Sequence, residues 1–243
     1  MLSILTSKAT EPNQAFTEKP RDEGADNLRW IEAIEPQEGT IEVLLLGGRG
    51  PVDFRLRIAQ AHARHDLSPS HWSHVLLVAP RAAALESTPI FEVSLTPPTG
   101  FGFPVPVNAV QTAELGRYGD PKAYPNLALI QVRGTWEVIE RHVDRLRRQR
   151  AAVDLTELLL TWLAFAWGAG KMGNPLLDGR GIPSAVMVEL VLGAAGVNLT
   201  PGSVQGASCP EMVWQAAKWW QEFYSGSGDV PLRGAYTAPH RLL

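Results

Sequence analysis

The stretch GIPSAVMVELVLGAAG, residues 181–196, is almost wholly apolar and of helical length. A helix with no polar face has no side to show to water, so other elements must enclose it. The chain has the means: 243 residues at 45% hydrophobic content are enough to wrap a core around a helix. The same stretch places Ser184 directly after Pro183, at the first turn. Two readings follow. Ser184 caps a buried helix, the commoner role for a serine there, or it is a nucleophile set at a helix N-terminus.

The rest of the chain limits the choices. The net charge of −3 gives no field that argues for nucleic acid or a membrane surface. Cys209 is the only cysteine, which excludes an internal disulfide framework and any multi-cysteine metal site. Residues 1–27 read as a mobile polar tail without the basic start and apolar run of a secretory signal, so a cytoplasmic location is the default expectation. The most apolar segment, LLLTWLAFAWGAG, is too short for a membrane span, which needs roughly 20 residues, and reads as a core helix.

Between tail and apolar helix, β-rich runs come first. IEVLLLGG (41–48), SHVLLVAP (73–80), PIFEVSL (89–95) and LALIQV (127–132) read as strands, and FRLRIAQAHARH (54–65) as a short helix. TPPTGFGFPVPVNAV (96–110) is too rich in Pro and Gly for regular structure and reads as a surface loop. TWEVIERHVDRLRRQR is an amphipathic helix whose arginines, Arg141, Arg145, Arg147, Arg148 and Arg150, line its polar side. A solvated face is the plainer reading of that run. DLTE at 154–157 has the pattern of a capping box opening the next helix. The glycines around Lys171 do not fit a phosphate-binding loop. A last helix, CPEMVWQAAKWWQEFY, carries a cluster of aromatics ahead of a short C-terminal tail. Strands followed by helices, with no linker after residue 27, predict one α+β domain over 28–243.

Three residues combine into a possible mechanism. His74 lies in one strand, Glu92 in the neighbouring one, and Ser184 at a helix start. A hydroxyl at a helix N-terminus gains from the positive end of the macrodipole. A histidine takes its proton, and a carboxylate fixes the imidazole tautomer. Each residue alone has a plain structural role, and such a set also arises by chance.

The order of these pieces resembles the circularly permuted NlpC-like papain-fold proteins, relatives of the lecithin:retinol acyltransferase group. EPQEGTIEVLLLGG is similar to their opening turn and strand, WSHVLLVA to the histidine strand, and IFEVSL to the strand that follows. SAVMVELVLGAAGVNLTPG is similar to the nucleophile helix, and SCPEMV falls where the last helix begins. The resemblance covers about residues 36–224 and implies a permuted papain-like fold, an antiparallel sheet packed against helices. It implies His74 as base, Glu92 as orienting group and Ser184 at the position of the family's cysteine. Thr40 stands where an aspartate commonly follows the glycine, and Cys209 falls on a structural position instead of the nucleophile.

The implied activity is acyl transfer at an amide, thioester or ester bond of a peptide or acyl substrate, with no cofactor and no metal. A serine in the thiol's place leaves three explanations open: a genuine Ser-His-Glu enzyme, a non-catalytic binding or interaction module that keeps the groove, or an exchange introduced into a thiol enzyme. A further alternative is a module docking a partner protein through the arginine-rich helix and the tryptophans.

Overall fold

The computed structural model describes residues 16–95, 107–150, 152–168, 172–201, 204, 206–224 and 231–242. At its centre runs β2 (Thr40–Gly47), whose apolar residues continue without polar alternation because both of its faces are covered. It pairs antiparallel with β3 (His74–Val78) on one side, setting Leu46 opposite His74, and with β6 (Asn126–Arg133) on the other. Beyond β3 lie β4 (Pro89–Glu92) and the edge strand β5 (Gln111–Glu114). Beyond β6 lie β7 (Leu232–Thr237) and a two-residue β1 (Thr17–Glu18). The strand order is β1-β7-β6-β2-β3-β4-β5.

One face of the sheet, carrying Val43, Leu45, Val75, Leu77 and Ile130, packs on the main helical layer. That layer holds α2 (Pro51–Ala59), α3 (Trp136–Arg148), α4 (Leu155–Ala166), α5 (Pro183–Ala194) and α6 (Pro210–Tyr224). The opposite face, with Leu44, Leu46, Leu76 and Leu129, is covered by α1 (Asn27–Glu32) and a 3-10 turn over Leu115–Tyr118. Helix α5 is the expected enclosed helix. Val186, Met187, Val188, Val191 and Leu192 are all buried, each contributing about 1.5–3 kcal/mol of burial.

The architecture is α+β, as the order of the runs predicts, with one correction: β1 joins β7 in parallel, so the sheet is mixed and not antiparallel throughout. The segment read as tail contributes that strand, and Asp26 caps α1 by accepting from the Arg29 N–H at 2.8 Å. Residues 1–15, and the loop expected over 96–110 as far as residue 106, lie outside the described residues. The helix expected over 54–65 begins earlier, at Pro51, and ends at Ala59 in favour of a 3-10 turn. Half of the predicted capping box forms. Asp154 accepts from the N–H groups of Thr156 and Glu157, while the Glu157 carboxylate turns outward to Arg180 at 3.2 Å. The C-terminal tail contains β7.

Candidate active site

Ser184 occupies the second position of α5. The residue at the N-cap position is Ile182, which has no side chain to cap with, so Ser184 does not serve as the cap. Two features hold the helix start in place. The N–H groups of Gly181 and Ile182 donate to the carbonyls of Gly206 and Ser208 at 2.7 and 2.8 Å. Trp162, itself fully buried, donates its indole N–H to the Gly181 carbonyl at 2.7 Å. A Cβ at Gly181 would stand 2.5 Å from the Ser208 oxygen, so only glycine lets these two segments meet. Pro183 then starts the helix, where a missing N–H costs nothing. Ser184 is 1% exposed and its hydroxyl has no hydrogen-bond partner among the described residues. Leaving such a group unsatisfied costs about 1–3 kcal/mol.

His74 stands at the first position of β3, and its Nε2 lies 2.7 Å from Glu92 Oε2. Glu92 is fully buried and collects two further donors: the Tyr118 hydroxyl at Oε2 and Arg117 Nη1, 3.0 Å from Oε1. Burial by itself would raise the Glu92 carboxyl. The hydrogen bond and charge of His74, the Tyr118 hydroxyl and the Arg117 guanidinium outweigh it and hold the group below the ordinary glutamate value. Glu92 is therefore a carboxylate at neutral pH. An ionised acceptor at Nε2 requires the proton to sit on that nitrogen, so in the neutral ring Nδ1 is the nitrogen with a lone pair to accept a proton.

His74 and Glu92 belong to the sheet face that α1 and the Leu115–Tyr118 turn cover, whereas Ser184 comes from the main helical layer. They meet at the end of β3, where a narrow pocket is lined by Ser184, His74, Asp53, Ser73, Tyr118 and Tyr124. Its free space is about 20 Å³, room for about one water. His74 and Glu92 are in direct contact, and Ser184 shares their pocket without hydrogen bonding to the imidazole.

Sequence reasoning missed the second carboxylate in this pocket. Asp53, in the first turn of α2, accepts from Ser73 Oγ at 2.6 Å and from the Gly50 N–H at 3.2 Å. Burial raises its carboxyl, with the Ser73 hydrogen bond and the charge of His74 acting against that rise. Glycine packs tightly around it: a Cβ at Gly48 would lie 2.3 Å from the carboxylate carbon. A proline one residue into a helix, followed by an acid at the third position, is the signal GPVD carried. Tyr118 and Arg117 had no such signal, because they reach Glu92 from a 3-10 turn on the far side of the sheet.

Cys209, His71 and Arg57 fall outside the pocket. Cys209 is buried in the core and its thiol is pushed up to about 12 by desolvation, so it is inert. Burial, helped by Arg64 and Arg57, takes His71 down to about 4. Arg57, fully buried on α2, ties down the C-terminal segment through His240, donating to its Nδ1 and its carbonyl, each at 2.9 Å. Among the described residues no group of three His, Cys, Asp or Glu side chains could hold a metal, and no helix is long and apolar enough to cross a membrane. Comparison with protein families, characterised proteins and solved structures finds no match for this chain.

Proposed function

We propose that the protein is a papain-like hydrolase or acyltransferase of permuted order, with Ser184 as nucleophile, His74 as general base and Glu92 as the group that orients the base. One observation carries this reading: a buried serine hydroxyl without a partner among the described residues lines the same pocket as a histidine whose Nε2 is held by a buried carboxylate. In the proposed reaction, Ser184 Oγ attacks an ester, thioester or amide carbonyl and its proton passes to His74 Nδ1. The imidazolium, stabilised by Glu92, then protonates the leaving group. Water, activated by the same imidazole, releases the acyl group from Ser184. The helix N-terminus behind Ser184 favours the negative charge that develops on the carbonyl oxygen.

A second reading has its own observation: Ser184 and His74 make no hydrogen bond, and a serine needs a better-aligned base than a thiol does. On that reading the pocket is the remnant of a catalytic groove and the protein binds a peptide, an acyl chain or another protein. Catalytic contacts that are long in the free protein often close only around substrate. A fluorophosphonate probe decides between the two. The enzyme reading expects covalent labelling at Ser184 that is lost in His74→Ala. An unlabelled folded chain, or labelling unaffected by His74→Ala, refutes it in favour of the binding module.

A further inference from the structure

We propose that the cleft between α3 and α5 is a binding site for a small amphiphilic carboxylate, a single carboxylate on an apolar body. The cleft is about 680 Å³ in volume, within the range of small-molecule sites, which runs from about 300 to 1,000 Å³. It is separate from the Ser184 pocket and shares no lining residue with it. Its floor is apolar: Leu146, Val186 and Val191 are all buried.

One wall is cationic, and its charge is not consumed internally. Of the arginines on this side, Arg147 and Arg148 pair with Asp144 at 3.8 and 3.5 Å, and Arg150 pairs with Asp154 at 3.5 Å. Arg145, exposed at the cleft, has no carboxylate partner among the described residues. A planar guanidinium beside an apolar floor matches a carboxylate head group in geometry and charge.

The opposite wall sets the ligand's charge. Glu189 lines the cleft and accepts from the Thr200 hydroxyl, and burial raises its carboxyl. A dianionic phosphate would meet a second acid across a confined space, whereas a monoanion matches Arg145, the cleft-lining arginine without a carboxylate partner among the described residues. The ligand class is therefore a carboxylate with a short alkyl or aromatic body.

Octanoate, titrated into the full chain by isothermal calorimetry, tests this. Saturable one-to-one binding is expected, weakened at least tenfold in Arg145→Glu. Acetate, which lacks the apolar body, should bind at least tenfold more weakly than octanoate. Gly193→Phe adds bulk at the cleft wall, where a Cβ meets nothing within 4 Å, so it should fold normally and abolish binding. Ser184→Ala and His74→Ala should leave the affinity unchanged, which separates this site from any acyl binding in the proposed reaction pocket. Non-saturable binding, equal competition by inorganic phosphate, indifference to both cleft variants, or loss in Ser184→Ala would each overturn the proposal.

Discussion

Replacing Glu92 separates its two duties, holding the fold and setting the tautomer of His74. Glu92→Ala removes a fully buried carboxylate that three donors share, and leaves the Arg117 guanidinium and the buried Tyr118 hydroxyl without it. Breaking one partner out of a buried ion pair costs about 3–5 kcal/mol, a large part of the stability of an ordinary domain. Glu92→Gln keeps the volume and one acceptor oxygen. Its amide nitrogen can only donate, and Arg117 at Oε1 cannot accept, so the nitrogen takes the Oε2 side, where both former donors must become acceptors to stay bonded. The Tyr118 hydroxyl can rotate to do so, and His74 can move its proton from Nε2 to Nδ1. Losing one charge-assisted hydrogen bond costs about 1.5–3 kcal/mol, so Glu92→Gln should fold at lower stability than the native chain but higher than Glu92→Ala. If His74 switches tautomer, Nδ1 no longer accepts a proton, and labelling of Ser184 should fall even though the protein is folded. Urea denaturation gives the two stability losses, and imidazole 15N shifts report the tautomer directly. A Glu92→Ala variant within about 0.5 kcal/mol of the native chain, the range of an ordinary surface substitution, would refute the buried network and the orientation argument built on it.

Three further outcomes follow from the same structure. Ser184→Ala removes a buried hydroxyl that has no partner among the described residues, so it should raise stability by about 1–3 kcal/mol in thermal or urea melts; a loss of stability would mean the hydroxyl is satisfied in solution. Cys209, buried and with its thiol pushed up to about 12, should resist an aromatic disulfide reagent in the folded chain and react once in urea; fast reaction without denaturant contradicts this placement. The folded chain holds His71 near 4, against an ordinary 6.5. The unfolded chain therefore takes up that proton first as the pH falls, and stability drops between about 6.5 and 4. Glu92, held low, adds to the loss only below its ordinary 4.5. His71→Asn should make the first window shallower, leaving the contributions of His142 and His240, which burial and nearby arginines also hold below 6.5, and an unchanged urea midpoint profile would reject the assignment.

What the sequence disclosed depended on how local the cause was. The apolar circumference of 183–194 could only mean enclosure, and α5 is enclosed. Asp154 announced its own helix through contacts two and three residues away. Strands β2, β3 and β6 carry enough apolar residues to be read singly. Strand β7, LRGAYT, does not; it is a strand because β6 offers it a free edge. The pairing of His74 with Glu92 was legible from two neighbouring strands, since pairing strands bring such side chains within reach. The donors that keep Glu92 ionised were not, because they arrive from a turn some 25 residues further along, whose position only the finished sheet determines. Asp53 stands between the two cases: GPVD marks the start of its helix, but only the placing of α2 brings the acid into the pocket.

The position of β7, between β6 and β1, has a consequence for how the protein is made. Thr17 and Glu18 pair with Ala235 and Tyr236, so on the ribosome the earliest of the described strands must wait, unpaired, until the other described strands of the sheet have been synthesised. Closure of the sheet at that edge is thus a late event that joins the first and the last of the described strands. Anything that delays the emergence of β7 should leave the other strands with the edge of β6 open to a neighbouring nascent chain.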